Sequence, residues 1–398
     1  MSWIQLFLRE TERAEAPTSY FYWSALSVLS AVVGRRVYIK KEGLYSLYPN
    51  IFVFLISKLS GLGKGFPISV ASKLAHKLEF NRIIEGQASI EGIIKELSKL
   101  YTTPSGRVIN TAEAFLIGGE FGSFLLENPR LFTQLTDLYD SIYHDEWDKT
   151  LSTQDKKKLK EICLTGLFAA NETHFNEALP MHAKKGGFLG RVQCIYESRT
   201  RQLNPALRKT GKPEIDYNKL LEHLKELTKV SGEFTIEDSA IKLYEDWYTP
   251  FYLSENSDDT GTTARAKDTI LKVAMLISLS ERTDLILTEG HMGEAMLNTV
   301  QTLNSTRTMI IGEGKAEKAR EAKIILQLLA CTPDYTLSRR QLLVRGFGNF
   351  DVNDLDRVMN TFEQGKLVKV WGSGKDIMYK LTDSAIGLLI KFEKEDEK

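Results

Sequence analysis

A glycine-rich segment that carries one lysine lies between a continuous apolar run and a helical pattern. It reads Gly-Leu-Gly-Lys-Gly over 61–65, after an apolar run over 50–56 and before a helical pattern over 68–78. In a phosphate-binding loop, glycines let backbone N–H groups turn towards the phosphates, a lysine reaches the outer phosphates, and the next helix adds its dipole. The segment therefore predicts a phosphate-binding loop, whereas the alternative is a glycine-rich turn with an incidental lysine. The candidate phosphate-binding residues are Gly61, Gly63, Lys64 and Gly65.

Two positions in this segment depart from the standard phosphate loop. Lys58 stands where the first glycine is expected, and Gly65 stands where a serine or threonine ligates magnesium. These departures affect hydrolysis more than nucleotide binding.

Two further apolar runs, 114–117 and 162–168, are followed by Glu120 and Asn171. An acidic residue at a strand end, next to the phosphate loop, would hold a metal or polarise the attacking water. Gly119 replaces the aspartate that usually precedes it, so only the water-activating partner remains. Asn171 can hydrogen-bond the terminal phosphate or the water. The alternatives are a turn after a strand for Glu120 and a helix N-cap for Asn171.

A second glycine-rich loop, 184–190, places Arg191 at the start of an apolar run over 192–196. An arginine there can complete the ATP site of a neighbouring subunit. The alternative is an ordinary surface arginine.

The apolar runs must form a sheet that positions these residues. Helical patterns separate the first three runs, which is the alternation of an α/β domain. The run 50–56 is rich in β-branched and aromatic residues, as in a central strand buried on both faces. The residues before it predict two helices and a small hairpin, with the aromatic cluster 20–23 in their core. Beyond about residue 200 the pattern predicts helices only.

The last 80 residues predict a separate unit. A helix over 315–329, a short helix capped by Ser338 and a helix over 352–364 precede a hairpin with its turn at 371–375. Three helices and a hairpin make the outline of a winged helix. The apolar face of its third helix comprises Val352, Leu355, Val358, Met359 and Phe362.

Composition excludes several classes of protein. The 398 residues include 52 Lys and Arg and 52 Asp and Glu, so a globally cationic nucleic-acid binder is excluded. Three distant cysteines argue against a disulfide scaffold, and six histidines form no metal-spaced pair, so no metal-ligating residue is predicted. The sequence predicts no signal peptide or membrane span, and hence a protein of the cytoplasm.

The order of the motifs resembles the P-loop ATPases that phages and mobile elements encode as replicative helicase-like proteins. The motifs are YPNIFVFLIS, GLGKG, QASIEGIIKEL, FLIGGEFGSFL, LTDLYD, GLFAANET and GGFLGR. The segment TTARAKDTILKVAMLISLSERTDLILTEGHMGEAM is similar to the helical lid of AAA+ and minichromosome-maintenance-type helicases. The resemblance implies an AAA+ or RecA-like P-loop core. The domains would be an N-terminal helical segment (1–48), the ATPase core (49–204), the lid (205–312) and a winged helix (313–398).

The resemblance also implies roles for individual residues. Lys64 would contact the β- and γ-phosphates of ATP, with Mg²⁺ as its cofactor ion, and Glu120 would activate water. Asn171 would be the polar sensor, Arg191 would act across a subunit boundary, and Arg265 would be the lid arginine. The partners would be further copies of the chain in a ring, such as a hexamer, and single-stranded DNA in its channel, in the host cytoplasm for a viral protein.

Two basic regions are candidates for DNA contact. Lys156, Lys157 and Lys158 lie where ring helicases of this type insert a hairpin into the channel, and the alternative is a solvated helix start. The winged helix offers Arg339, Arg340 and Lys375, but its third helix carries Asp354, Asp356 and Glu363. These acids argue against sequence-specific reading of the major groove.

Three hypotheses follow. The first is an ATP-dependent, ring-forming DNA helicase or translocase for replication of a virus or mobile element. The second, motivated by Gly65 and Gly119, is a degenerate P-loop protein that binds nucleotide or DNA without unwinding and acts as an assembly or loading partner. The third is a transcription regulator, which the acidic third helix disfavours.

Overall fold

The computed structural model describes most of the chain, which divides into two compact units, residues 1–307 and 308–398. The described residues are all except 42, 59–60, 80–81, 87–88, 103–105, 107, 120–129, 141–145, 151–155, 180–186, 205–213, 255–261, 333, 347–351, 374–375, 383–384 and 386–398.

The helices within the described residues are α1 (Trp3–Glu10), α2 (Thr18–Val33), α3 (Gly65–Leu78), α4 (Ile90–Leu97), α5 (Arg130–Asp140), α6 (Glu172–Ala178), α7 (Tyr217–Leu227), α8 (Asp238–Ser254), α9 (Thr262–Glu281), α10 (Glu289–Ala330), α11 (Arg339–Arg345) and α12 (Val352–Gln364). Short 3₁₀ turns cover Gly34–Arg36 and Leu189–Arg191.

The strands are β1 (Val37–Lys41), β2 (Tyr45–Leu47), β3 (Phe52–Ser57), β4 (Ile83–Glu85), β5 (Tyr101–Thr102), β6 (Val108–Ile109), β7 (Glu113–Gly118), β8 (Glu146–Thr150), β9 (Lys156–Lys160), β10 (Cys163–Asn171), β11 (Val192–Glu197), β12 (Gly232–Glu233), β13 (Thr235–Ile236), β14 (Ile286–Leu287), β15 (Thr336–Ser338), β16 (Val368–Ser373) and β17 (Asp376–Leu381).

A parallel sheet of five strands forms the centre of the first unit. Its order is β11-β3-β10-β7-β4, and each adjacent pair is parallel. All six residues of β3 are buried, as its continuous apolar sequence predicts for a strand covered on both faces. The predicted α/β class is therefore confirmed.

The strand order decides which loops are neighbours. The chain leaves β3 through α3 and reaches β4 at one edge, whereas it later returns to β11 on the other side of β3. The carboxyl end of β3 is thus a topological switch point, where open α/β sheets bind ligands. Strand β10 separates β3 from β7, so the expectation that the end of β7 lies next to the phosphate loop needs correction. Two strand spacings, about 10 Å, separate them.

The N-terminal helices cover this sheet. Helix α2 contributes a continuous buried stretch, Ser24–Val33, which fits a helix that is apolar on most sides. Tyr20, Phe21 and Trp23 are buried, which confirms the aromatic cluster as core. The predicted hairpin is present as β1 and β2, and β12 adds to it in parallel through its pairing with β1.

Residues 217–307 are mainly helical, but the prediction of helices only is incomplete. Strands β12, β13 and β14, each of two residues, also occur there, because short extended segments that pair at long range leave no periodic signal. Helix α9 is buried almost continuously from Thr269 to Ser280.

The second unit contains the last part of α10, then β15, α11, α12, β16 and β17, with sheet order β15-β17-β16. The helix predicted over 315–329 is present as the end of α10, which begins earlier, at Glu289. Ser338 caps α11 through a capping box, as predicted. Four of the five apolar residues predicted for the face of α12 are buried. Val352 is 46% exposed instead, because it is the first residue of α12 and lies at the end of the packed face. Strand β15 was not predicted from the sequence.

None of the helices among the described residues is both long enough and apolar enough to cross a membrane.

Candidate functional site

The predicted glycine loop joins β3 to α3 at the carboxyl edge of the sheet. Strand β3 ends at buried Ser57 and α3 begins at Gly65. Gly61 and Gly63 have φ angles of 104° and 72°, a region that favours glycine, so both glycines are required by the turn. The strand–loop–helix context predicted for a phosphate site is present.

The Lys64 side chain folds back over the end of β3. Its Nζ donates a hydrogen bond to Oγ of Ser57. The parallel register places Ser57 beside Asn171 of β10 and Glu197 of β11. The ammonium group of Lys64 thus contacts Ser57, and Asn171 and Glu197 end the two neighbouring strands, at the point where the sheet is expected to bind a ligand.

Asn171 has the structural role that was the alternative interpretation. It is the N-cap of α6, and its side chain accepts a hydrogen bond from the backbone N–H of Thr173 at 3.0 Å. It nevertheless lies one strand away from Ser57, so its role as a polar sensor stays a prediction. Glu120 lies outside the described residues.

The N-terminal segment packs beside the loop. The ring of Phe21 lies 5.9 Å from that of Phe66 in an edge-to-face contact. A Cβ placed on Gly63 would lie 3.4 Å from the Cβ of Ala16. The backbone of this segment is tied to Arg201, which donates to the carbonyl groups of Ala14, at 2.7 Å, and Thr11. The N-terminal segment therefore contacts one side of the loop, which the sequence analysis missed.

The loop fits a nucleotide phosphate better than it fits magnesium. Left-handed glycines and a lysine at a helix N-terminus are what a phosphate needs. Gly65 and Gly119, at the two standard magnesium positions, carry no oxygen ligand in their side chains. A Cβ at either glycine would meet no atom within 4 Å, so both positions have room for a larger residue.

Arg191 lies at the opposite, amino edge of the sheet. It ends the 3₁₀ turn before β11, and its side chain is only 8% exposed. Its Nε donates to Oδ1 of Asp140 at 2.8 Å, its Nη2 donates to Oδ2, and its Nη1 donates to the carbonyl of Gly187 at 2.6 Å. The alternative interpretation, an ordinary surface arginine, is wrong.

Arg265 shares the same carboxylate. It lies in the first turn of α9, and its Nη1 is 3.6 Å from Oδ1 of Asp140. Its side chain is 35% exposed. The structure thus brings together two of the predicted site residues, Arg191 and Arg265, around one acid that the sequence analysis did not select.

The two arginines differ in the free energy needed to move them from Asp140. Separating a buried, hydrogen-bonded ion pair leaves an uncompensated charge and costs about 3–5 kcal/mol. An exposed pair contributes about 0–1 kcal/mol. Arg191 is buried, but Asp140 is 36% exposed, so solvent lowers the cost of separating this pair below the first range. Arg265 is itself 35% exposed and has a longer ion pair with Asp140, so it is the more readily redirected.

A buried lysine anchors α9 near this cluster. Lys272 lies two turns after Arg265, and its Nζ donates to Oδ1 of Asn50 at 2.8 Å, to the carbonyl of Asn50 at 3.1 Å and to the hydroxyl of Tyr139 at 2.8 Å. Burial lowers the pKa of Lys272 to about 8. The same burial raises the pKa of Tyr139. Asn50 lies two residues before β3 and Tyr139 directly precedes Asp140, so the network joins α9 to the sheet.

The strand register gives the separation between the two edges. Phe52 pairs with Val192 at the amino edge, and Ser57 pairs with Glu197 at the carboxyl edge. Five residue steps along a parallel strand span about 17 Å. Lys64 and the arginine pair therefore lie at opposite ends of the same strands and do not converge on one ligand within one copy of the chain.

The first candidate DNA region is a hairpin. Lys156, Lys157 and Lys158 belong to β9, which pairs antiparallel with β8, so the helix-start alternative is wrong. The register places Lys158 opposite Asp148 and Lys160 opposite Glu146. Both Lys158 and Lys160 are exposed.

The basic residues of the second candidate DNA region, in the second unit, have different surroundings. Arg339 donates to both oxygens of Asp356 on α12, at 3.1 and 2.6 Å. Arg340 is exposed. Lys375 lies outside the described residues.

Sequence reasoning missed four residues that organise these sites: Ser57, Tyr139, Asp140 and Lys272. Ser57 ends the apolar run before the glycine loop, and Asp140 ends the quoted LTDLYD motif, so a local signal existed for both. No local signal indicated Lys272, because its neighbours in the sequence are mostly apolar and its hydrogen-bond partners lie far along the chain.

Comparison of the sequence with protein-family models and with curated proteins finds no match. The functional argument therefore depends on the geometry of this chain.

Proposed function

We propose that this protein is a P-loop ATPase whose nucleotide sites form between copies of the chain, and that it acts on DNA as a ring-forming helicase or translocase in the replication of a virus or mobile element. One observation carries the proposal: the phosphate loop with Lys64 and the pair Arg191 and Arg265 lie at opposite edges of the same sheet.

The nucleotide assignment is supported at the carboxyl edge. The loop combines left-handed Gly61 and Gly63 with the ammonium group of Lys64, at the switch point of a parallel sheet. In the proposed site, Lys64 binds the β- and γ-phosphates and the loop N–H groups surround them. Asn171 lies beside Ser57 and orients the terminal phosphate, and Glu120 activates water.

The oligomer follows from the division of these groups between two surfaces. A transferring phosphoryl group needs positive charge on the side away from the phosphate loop, which arginine residues supply in related chemistry. The arginines of one copy are about 17 Å from its own loop, so they serve a neighbour. Contacts between unlike surfaces are head-to-tail, and such contacts form a ring when the rotation between copies closes, which is the assembly we propose.

DNA is the proposed polymer because of the basic hairpin and the second unit. The β8–β9 hairpin carries Lys156, Lys157 and Lys158 on one strand, and in a ring it would face the channel. We assign the second unit to a winged helix and the helices before it to the lid, with the boundary after residue 307 and not after residue 312 as predicted. The net charge of zero predicts that DNA affinity is local and falls steeply with salt.

A second candidate function has its own observation. Gly65 and Gly119 offer magnesium no side-chain ligand, so the chain could bind nucleotide or DNA without turnover, as an assembly or loading partner.

ATP hydrolysis by the purified protein distinguishes the two candidates. The assay contains magnesium and low salt, with and without single-stranded DNA, and uses Lys64→Ala as control. Turnover that DNA stimulates and that Lys64→Ala abolishes supports the motor. ATP binding without turnover favours the partner function, and ATP binding unaffected by Lys64→Ala contradicts both.

A further inference from the structure

We propose that one water molecule occupies a small threonine-lined cavity beside the start of β11 and is the hydrogen-bond partner of Thr299. The inference concerns how α9 and α10 pack on the central sheet, and it does not depend on the proposed function.

The cavity lies where α9, α10 and the start of β11 meet. Its volume is about 10 Å³, and about 10–15 Å³ is the least that holds one water molecule. Eleven of the described residues line the cavity, and every one of them is buried. The cavity therefore belongs to the interior of the first unit and has room for a single water.

The lining of this cavity is polar for an interior site. Five threonines and one glutamine contribute to it: Gln193, Thr262, Thr269, Thr299, Thr302 and Thr306. Internal cavities that stay empty are apolar, whereas internal water molecules lie among two to four polar partners. The composition of the lining thus favours water over an empty space.

Thr299 supplies the observation that points to a ligand. The residue is 1% exposed and lines the cavity, and its Oγ1 has no hydrogen-bond partner among the described residues. A buried hydroxyl group without a partner carries its full desolvation cost, so buried polar groups are almost always satisfied. A water molecule in the cavity gives Oγ1 of Thr299 the partner that it lacks.

A second hydroxyl group can hold the same water. Thr302 lies three residues after Thr299 on α10, so the two side chains share a helix face. Its Oγ1 is within hydrogen-bond distance of the Thr299 carbonyl, at 2.8 Å, and of Oε1 of Gln193, at 3.1 Å. A hydroxyl has one hydrogen to donate and two lone pairs that accept. The water can therefore accept from Thr299 and donate to Thr302.

The water contributes to the contact between α10 and the sheet. Thr302 on α10 lies beside Gln193 on β11, and Thr306 continues the same helix face by donating to the Thr302 carbonyl at 2.8 Å. Thr269 brings α9 to the other side of the cavity. A water molecule held among these groups joins both helices to β11, at a place where their side chains alone leave a gap.

The test replaces the hydroxyl group of Thr299 by a methyl group. Thr299→Val keeps the branched shape of the side chain, and Thr299→Ser is the matched control because it keeps the hydroxyl. Thermal unfolding is measured for both variants and the wild type. Crystal structures of the three proteins, at a resolution that shows ordered water, locate the molecule directly.

We expect one water within about 3 Å of the hydroxyl oxygen at position 299 in the wild type and in Thr299→Ser, and its loss from Thr299→Val. The Tm of Thr299→Val should fall by about 2–4 °C, because the cavity loses a hydrogen bond. A dry cavity predicts the opposite sign, since the same substitution would then remove an unsatisfied hydroxyl and raise Tm.

Two results overturn the proposal: an empty cavity in the wild-type crystal structure, or a higher Tm for Thr299→Val than for the wild type. Neither measurement involves ATP, so failure of the proposed function leaves this test unaffected.

Discussion

The two edges of the central sheet carry positive charge in different ways. At the carboxyl edge, the ammonium group of Lys64 follows a loop with left-handed glycines and donates to Ser57 at the end of β3. At the amino edge, Arg191 and Arg265 are gathered around an internal carboxylate, Asp140. In the proposed function, the first edge holds a phosphate and the second approaches a phosphate that another copy holds.

The interactions that fix the structure also differ between the two edges of the sheet. The loop depends on left-handed glycines, whose flexibility in the unfolded chain makes their ordering costly in entropy. The arginine cluster depends on the desolvated guanidinium group of Arg191, which needs Asp140 and the carbonyl of Gly187 as hydrogen-bond acceptors. Substitutions should therefore affect ligand binding at the first edge and folding stability at the second.

The largest expected effect is at the carboxyl edge. Lys64→Ala should weaken ATP binding by about 100-fold or more, because the cation that faces the outer phosphates is removed. Isothermal titration calorimetry measures the affinity. Lys58→Ala is the matched control, since Lys58 is exposed in the same loop and should change the affinity little. Equal losses for both variants would contradict the assignment of Lys64.

At the amino edge, Gly187→Ala should lower the free energy of unfolding by about 2 kcal/mol. The new Cβ has an unfavourable backbone φ of 82° and collides with Nη1 of Arg191. Gly43→Ala is the control, because Gly43 has φ 72° but open space around it. Chemical denaturation should give a larger loss for Gly187→Ala, and equal losses would mean that the Arg191 contact contributes nothing.

The buried lysine predicts a pH dependence. Between about pH 8 and the ordinary lysine pKa of 10.5, Lys272 is mostly neutral in the folded chain and mostly charged in the unfolded chain. The unfolded chain then binds more protons, so this residue makes the unfolding free energy rise with pH. Between about pH 7.5 and 9.5 the wild type should gain about 1–2 kcal/mol relative to Lys272→Met. Parallel curves for the two proteins would show that Lys272 does not titrate there.

Asp268, Asp140, Arg265 and Cys163 are the ionisable groups that act on Lys272. All four are common to both proteins, so their own titrations largely cancel in the difference between the two curves. Burial raises the pKa of Tyr139 well above this pH range, so its titration does not contribute to the difference between the two curves.

The smallest effect concerns magnesium. Gly65→Ser should raise magnesium-dependent ATP turnover, because the hydroxyl adds a ligand where there is room for it. Gly65→Ala is the control, since both variants should stabilise α3 by about 0.5 kcal/mol. If alanine raises turnover as much as serine, the gain comes from the helix and not from the metal.

The sequence was sufficient to predict elements that local chemistry determines. The apolar run of β3, the glycine loop and the Ser338 cap each depend on residues within a few positions of one another. The strand order could not be predicted from the sequence, because parallel pairing joins segments that lie more than 100 residues apart, as in β3 and β10. Burial of Arg191 was missed for the same reason, since Asp140 lies 51 residues away.

The candidate site was predicted residue by residue but not as a geometry. The sequence indicated both Lys64 and Arg191, and only the register of β3 with β11 shows that they lie at opposite edges. That separation turns a list of candidate residues into the proposal of a site shared between copies.

A mixture of two inactive variants tests this proposal most directly. Lys64→Ala and Arg265→Ala copies are mixed in equal amounts and assembled, and ATP hydrolysis is measured. If the site is shared, about a quarter of the interfaces pair an intact loop with an intact arginine, and the mixture regains activity that neither variant has alone. If the mixed oligomer is as inactive as its components, Lys64 and Arg265 do not meet across an interface and the account is wrong.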